Sequence, residues 1–131
     1  PNRTTGDWLS RDSRMVDQGL KGPLCSFQPT VSMFRDMMTG LQFIARPANL
    51  SKMDLDTPIY FFSGDQDPVG SMGKGVRKVE AMFRAAGCRD VTVRLYPGGR
   101  HEMLNEVNRQ EVLADLLSWL DARLPEKSEA T

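Results

Sequence analysis

The chain has one histidine, His101, in the run Tyr96-Pro97-Gly98-Gly99-Arg100-His101-Glu102-Met103-Leu104-Asn105-Glu106. Two aspartates, Asp65 and Asp67, stand in a second run rich in turn formers, Ser63-Gly64-Asp65-Gln66-Asp67-Pro68-Val69-Gly70. An imidazole held by a buried carboxylate has its tautomer and ring orientation fixed, leaving its other nitrogen free to take and return a proton. That is the orienting half of a Ser-His-Asp triad, the machinery of nucleophilic acyl transfer. A surface or capping role is the competing reading for a lone His in a Gly-rich turn, and either aspartate could serve as the carboxylate.

Chemistry between two runs so far apart in sequence requires a fold that joins them. Pro58 to Ser63 is a short apolar, aromatic and β-branched run closed by Gly64, which reads as a buried strand. Val76, Val79, Met82, Phe83 and Ala86 then trace a helix face that Gly87 stops. Val91 to Tyr96 alternates as a second strand and ends at Pro97-Gly98-Gly99. A last helix opens with Asn108 and Glu111 in capping-box spacing, and its wide apolar face runs from Val112 to Leu124. Strand, helix, strand, helix predicts a βαβ unit with parallel strands and a right-handed crossover. Both site runs then leave the carboxyl edge of one sheet, where α/β proteins build their sites.

Upstream, Ser10 to Gly19 predicts a short helix stopped by Gly19 and Gly22-Pro23. Phe34, Met37, Met38, Leu41 and Ile44 predict a longer one that Pro47 ends. Its Met-rich stripe reads either as a cap lining an acyl-chain pocket or as a plain helix packed on the core. The resulting division is a mainly helical region at 1–57, a βαβα unit at 58–124 and a disordered tail at 125–131.

Several runs of this chain resemble a known family. Asp7-Trp8-Leu9-Ser10-Arg11-Asp12, Asp67-Pro68-Val69-Gly70 and Gly98-Gly99-Arg100-His101-Glu102-Met103-Leu104-Asn105-Glu106, followed by Asn108-Arg109 and Trp119-Leu120, are similar to α/β-hydrolases. The group in question holds the serine aminopeptidases, monoacylglycerol lipases and lysophospholipases, and the match is to its lid and C-terminal half. The resemblance implies a C-terminal portion of an α/β-hydrolase fold, with Asp67 as the triad acid and His101 as the triad base. It favours Asp67 over Asp65 because the family sets its acid late in the turn, with a Pro-Val or similar pair behind it. Glu102, Asn105 and Glu106 are then expected to brace the His loop or cap the last helix.

The family's chain order is Ser, acid, His, with the Ser on a Gly-x-Ser-x-Gly elbow. No such pentapeptide occurs here. Gly70-Ser71-Met72-Gly73 comes near, but Val69 stands at the first Gly position and Ser71 follows the acid, so Ser71 reads as a helix N-cap. Lys74 does not complete a phosphate loop, because Pro68 and Gly75 break the spacing. The chain is therefore expected to supply acid and histidine to a serine ester hydrolase whose nucleophile lies outside it, and to be inactive alone. A hydrolase fragment that acts as a binding or interaction module is the alternative.

Composition narrows the partners. The 131 residues make one domain's worth of chain, and seventeen Lys+Arg balance seventeen Asp+Glu, so there is no basic field for nucleic acid. No apolar run is long enough to span a bilayer, and the N-terminus lacks a signal-peptide layout. Cys25 and Cys88 have no metal-type spacing and one His leaves too few zinc ligands, so reduced thiols, a cytoplasmic setting and no metal or organic cofactor are expected. The resemblance to that hydrolase group implies a small acyl ester or lysolipid as the substrate. Two strands with one helix each leave an open sheet edge, which calls for an N-terminal half of the hydrolase or for self-association.

Overall fold

The computed structural model describes residues 2–23, 25 and 27–124, so the expected disordered tail at 125–131 lies outside the described residues. Along the chain run α1 (Ser13–Lys21), α2 (Val31–Ile44), α3 (Pro47–Leu50), β1 (Ile59–Gly64), α4 (Lys74–Ala85), β2 (Val91–Tyr96), a short 3₁₀ turn (Met103–Asn105) and α5 (Arg109–Asp121). The strands pair in parallel, with Ile59 opposite Val91 at one end and Gly64 opposite Tyr96 at the other. Successive strand residues point to opposite faces, and the aromatic pairs show which helix covers which face. Phe61 meets Phe83 of α4 edge-on at 5.3 Å, whereas Tyr60 stacks on Trp119 of α5 at 5.2 Å. Helix, sheet and helix form three layers, the α/β arrangement that the strand–helix alternation predicts.

The core sits under α5, where Tyr96, Met103 and Val112 are buried together and Phe62 packs against them. Buried hydroxyls need a partner. Tyr96 donates to Asp115 Oδ2 at 2.9 Å, and Trp119 Nε1 donates to Thr92 Oγ1 at 3.0 Å. Burial, with Tyr60 and Asp115 beside it, pushes the Tyr96 hydroxyl far above its ordinary range, so it stays a donor.

Four local readings need correction. α1 starts at Ser13 rather than Ser10, because Asp12 caps it by accepting from the Arg14 amide at 3.0 Å, and it runs past Gly19 to Lys21. Pro47 does not end the long helix: α2 stops at Ile44, and Pro47 opens α3 at a first-turn position where no N–H is needed. Ser71 is not the N-cap of α4, since Gly73 holds that place with φ +80°, preceded by Ser71 and Met72 at φ 52° and 53°. Asn108 forms no capping box with backbone amides; its Nδ2 donates to the Glu111 carboxylate at 2.9 Å while its Oδ1 accepts from Arg11.

The Met-rich helix does not pack on the core. Every residue of α2 is exposed, and among the described elements it leans on α3. The apolar face expected for α5 is also only partly covered: Val112 is fully buried, but Leu113, Leu117 and Leu120 are exposed. Neither strand pairs along its other edge among the described residues.

β1 ends where the next loop crosses it at backbone contact. A Cβ on Gly64 would lie 2.0 Å from the Gly99 carbonyl, and backbone cannot step aside as a flexible side-chain tip can. Gly64→Ala should therefore cost about 3 kcal/mol or more in denaturant unfolding. Gly19→Ala, whose Cβ meets nothing within 4 Å in α1, should instead gain about 0.5–1 kcal/mol.

Candidate active site

Both strands end at one edge, and the loops that follow are tied together by backbone. The Asp65 amide donates to the Tyr96 carbonyl at 3.1 Å and the Gln66 amide to the Gly99 carbonyl at 2.9 Å. Asp65 Oδ1 accepts from the Gly98 amide at 2.8 Å, so the first aspartate of the pair pins the turn after β2. Asp67 takes other partners. Its Oδ1 accepts from the Val69 amide at 2.9 Å, an Asx turn that Pro68 suits, and its Oδ2 lies 3.1 Å from His101 Nδ1.

The carboxylate of Asp67 is 7% exposed and the imidazole of His101 38%. A carboxylate at Nδ1 calls for the proton on that nitrogen, which leaves Nε2 as the acceptor. His101 helps line an open groove of about 470 Å³ together with Phe62, Leu104 and Asn105. The arrangement provides a proton acceptor at the rim of a groove, backed by a nearly buried carboxylate. Such a pair can take a proton from a hydroxyl and hand it to a leaving group.

The loop that carries His101 is held from behind by Glu106, which is fully buried. Its Oε1 accepts from the amides of Arg11 and Arg100, both at 3.0 Å, and its Oε2 from Arg11 Nε and the Val107 amide, both at 2.9 Å. Burial alone would raise the Glu106 carboxyl, but these donors hold it below the ordinary carboxylate value. The neighbouring contacts reinforce this link: the Glu102 amide donates to the Leu9 carbonyl at 2.7 Å and Ser10 Oγ to the Asn105 carbonyl at 2.8 Å. Arg100 Nη1 donates to the carbonyls of Asp7 and Ser10. Asn105 braces the same loop through Glu102 Oε2 at 2.9 Å.

The run Asp7 to Asp12 is thus the back wall of the His loop, a role sequence reasoning did not assign. Its presence among the motif runs was the available signal, without any indication of its partner. Trp8 was also missed, and its ring centroid lies 5.1 Å from that of His101. Ser71 lies exposed in the left-handed turn after Asp67.

Comparison with known proteins agrees with the fold. The serine aminopeptidase S33 family (Hydrolase_4) matches residues 1–108, so the chain belongs to that family of α/β-hydrolases. A thermostable carboxyl esterase from Bacillus coagulans, solved in complex with glycerol, is 31% identical with a TM-score of 0.83 over 92% of this chain. A lipase solved in an open form is 30% identical with a TM-score of 0.73 over 88% of this chain. The chain spans 40% and 37% of the lengths of those two proteins.

The Glu106 clamp has a pH signature. Its folded value lies below the ordinary carboxylate value of about 4.3, so its contribution is complete above that pH and is lost as pH falls through the folded value. Asp90, held low by the Arg123 guanidinium, shares the acid limb, so the Glu106 part is the difference between wild type and Glu106→Gln. At pH 7 that variant, which leaves donors without an acceptor, should be about 3–5 kcal/mol less stable in urea unfolding. The gap should narrow steadily below about pH 4.

Proposed function

We propose that this chain contributes the acid, Asp67, and the general base, His101, of a serine ester hydrolase whose nucleophilic Ser lies outside it. The observation that carries the reading is the 3.1 Å contact between His101 Nδ1 and Asp67 Oδ2 on two loops at one sheet edge. In the reaction, His101 Nε2 takes the Ser hydroxyl proton as the oxygen bonds to the ester carbon. The imidazolium then gives that proton to the departing alcohol as the carbon–oxygen bond breaks. Water repeats the sequence: His101 accepts its proton, the hydroxide adds to the acyl-enzyme, and the Ser leaves with the proton returned. Asp67 stays ionised throughout, holding the tautomer and stabilising the imidazolium.

Similarity to a carboxyl esterase and a lipase supports a carboxylic ester substrate. Within that class we favour a monoacylglycerol or lysophospholipid, with residues 1–57 as the lid region and α2 presenting its Met-rich stripe to the acyl chain. The companion is the N-terminal half of the hydrolase. Free thiols at Cys25 and Cys88 support a cytoplasmic setting. A second reading, a fragment that binds rather than reacts, draws on α2, whose residues are all exposed.

Labelling with a fluorophosphonate probe, followed by denaturing mass spectrometry, separates the two. The hydrolase reading expects an adduct on a Ser of a companion segment. It also expects His101→Ala to abolish labelling and Asp67→Asn to lower ester turnover about 10⁴-fold. An unlabelled protein in every assembly supports the binding fragment. An adduct on Ser71 requires a redrawn triad.

A further inference from the structure

Trp8 and His101 are separated by more than ninety residues, yet backbone contacts set them side by side. The residue after His101 is bonded to the residue after Trp8, the Glu102 amide donating to the Leu9 carbonyl at 2.7 Å. The residue before His101, Arg100, reaches with its guanidinium to the carbonyls of Asp7 and Ser10, which flank Trp8 and Leu9. The Arg11–Glu106 ion pair closes the same ladder. With the chain held on both sides of each residue, the two rings meet at 5.1 Å between centroids and an interplanar angle of 41°. That separation falls within the range at which aromatic pairs attract.

An imidazole at the end of a loop has two free side-chain torsions, and one hydrogen bond to Asp67 restrains the ring only along that bond. An aromatic ring within attractive range of the imidazole restrains the rotation that the bond leaves open. Trp8 is itself 39% exposed and stands outside the buried cluster of Tyr96, Met103 and Val112. Its place is set by the ladder behind it.

Building on the acid–base reading of Asp67 and His101, we infer that Trp8 is a positioning residue for His101. Its indole keeps the imidazole turned so that Nδ1 stays on Asp67 and Nε2 faces the groove, and it shields the Nδ1–H···carboxylate bond from water. The clamp at Glu106 makes the segment Asp7–Asp12 the carrier of this wall.

His101 is the only histidine of this chain, so this chain labelled with ¹⁵N-histidine, with any companion segment left unlabelled, gives one ring spin system. In its uncharged form the imidazole of the wild type is expected to show a single tautomer, protonated at Nδ1, with a slowly exchanging Nδ1–H. Trp8→Ala should speed exchange of that proton with water at least tenfold and mix the tautomers, with unchanged far-ultraviolet circular dichroism. Trp8→Phe, which restores a ring, should recover most of the protection, and Trp8→Leu, with bulk but no ring, should not. Exchange unchanged in folded Trp8→Ala would overturn the inference. So would loss of fold in both Trp8→Ala and Trp8→Leu, since Trp8 would then be a structural residue. A wild type that lacks the Nδ1–H signal, or is protonated at Nε2, would instead overturn the Asp67–His101 pairing on which the inference rests.

Discussion

A carboxylate taken out of water costs several kcal/mol unless its lone pairs find donors of good geometry. Glu106 meets that condition with four donors between 2.9 and 3.0 Å, drawn from three places: Arg11, the amide beside His101 and the first residue after itself. Because the charge tolerates no missing partner, the three places can occupy only one arrangement. Surface pairs such as Arg35–Asp36, both well exposed, contribute at most about 1 kcal/mol and specify little. One buried charge thus determines where the His loop lies, and the loop determines where His101 can meet Asp67.

The clamp also explains what could and could not be read from the residues. The β-branched and aromatic run of β1, the alternation of β2 and the stop at Gly87 are local signals, and their order implies a parallel pair whose following loops meet. That much places Asp67 and His101 near one another. The departures arise where a side chain is committed to a distant partner. Ser10 looks like the start of a helix, but its hydroxyl serves the Asp12 amide and the Asn105 carbonyl, so the helix begins after Asp12. Asn108 looks like half of a capping box, but Arg11 occupies its oxygen. Periodicity over a dozen residues holds no information about a partner ninety-odd residues away.

The exposed apolar surface follows a different logic. α2 is built from local signals: Thr30 Oγ1 accepts from the Met33 amide at 3.2 Å, and Asn49 Nδ2 donates to the Phe43 carbonyl at 2.8 Å. Capping of this kind is worth about 1 kcal/mol, while a helix of this length is marginal in water without a packed face. Met33, Phe34, Met37, Met38 and Leu41 are each roughly half exposed, and unbranched thioethers adapt to irregular surfaces. Leu113, Leu117 and Leu120 of α5 are likewise exposed, and among the described residues both outer edges of the two-stranded sheet are unpaired. The chain spans 40% of the length of a similar esterase.

Asp65 and Asp67 show how two identical side chains, two residues apart, come to opposite tasks. Asp65 follows directly on the last strand residue, so its carboxylate is still beside β2 and takes the Gly98 amide. By Asp67 the chain has turned, with the Asp67 amide bonded back to the Gly64 carbonyl, and its carboxylate projects beyond the strand ends toward the second loop. Pro68 cannot donate a hydrogen bond, so the next available amide is that of Val69, which takes Oδ1 and leaves Oδ2 for His101. Gly70 keeps that oxygen accessible, since a Cβ there would stand 3.3 Å from Oδ2. The order Asp-x-Asp-Pro-x-Gly is therefore a division of labour: the first acid closes the sheet edge, and the second, freed by the turn, is left with one oxygen to orient an imidazole.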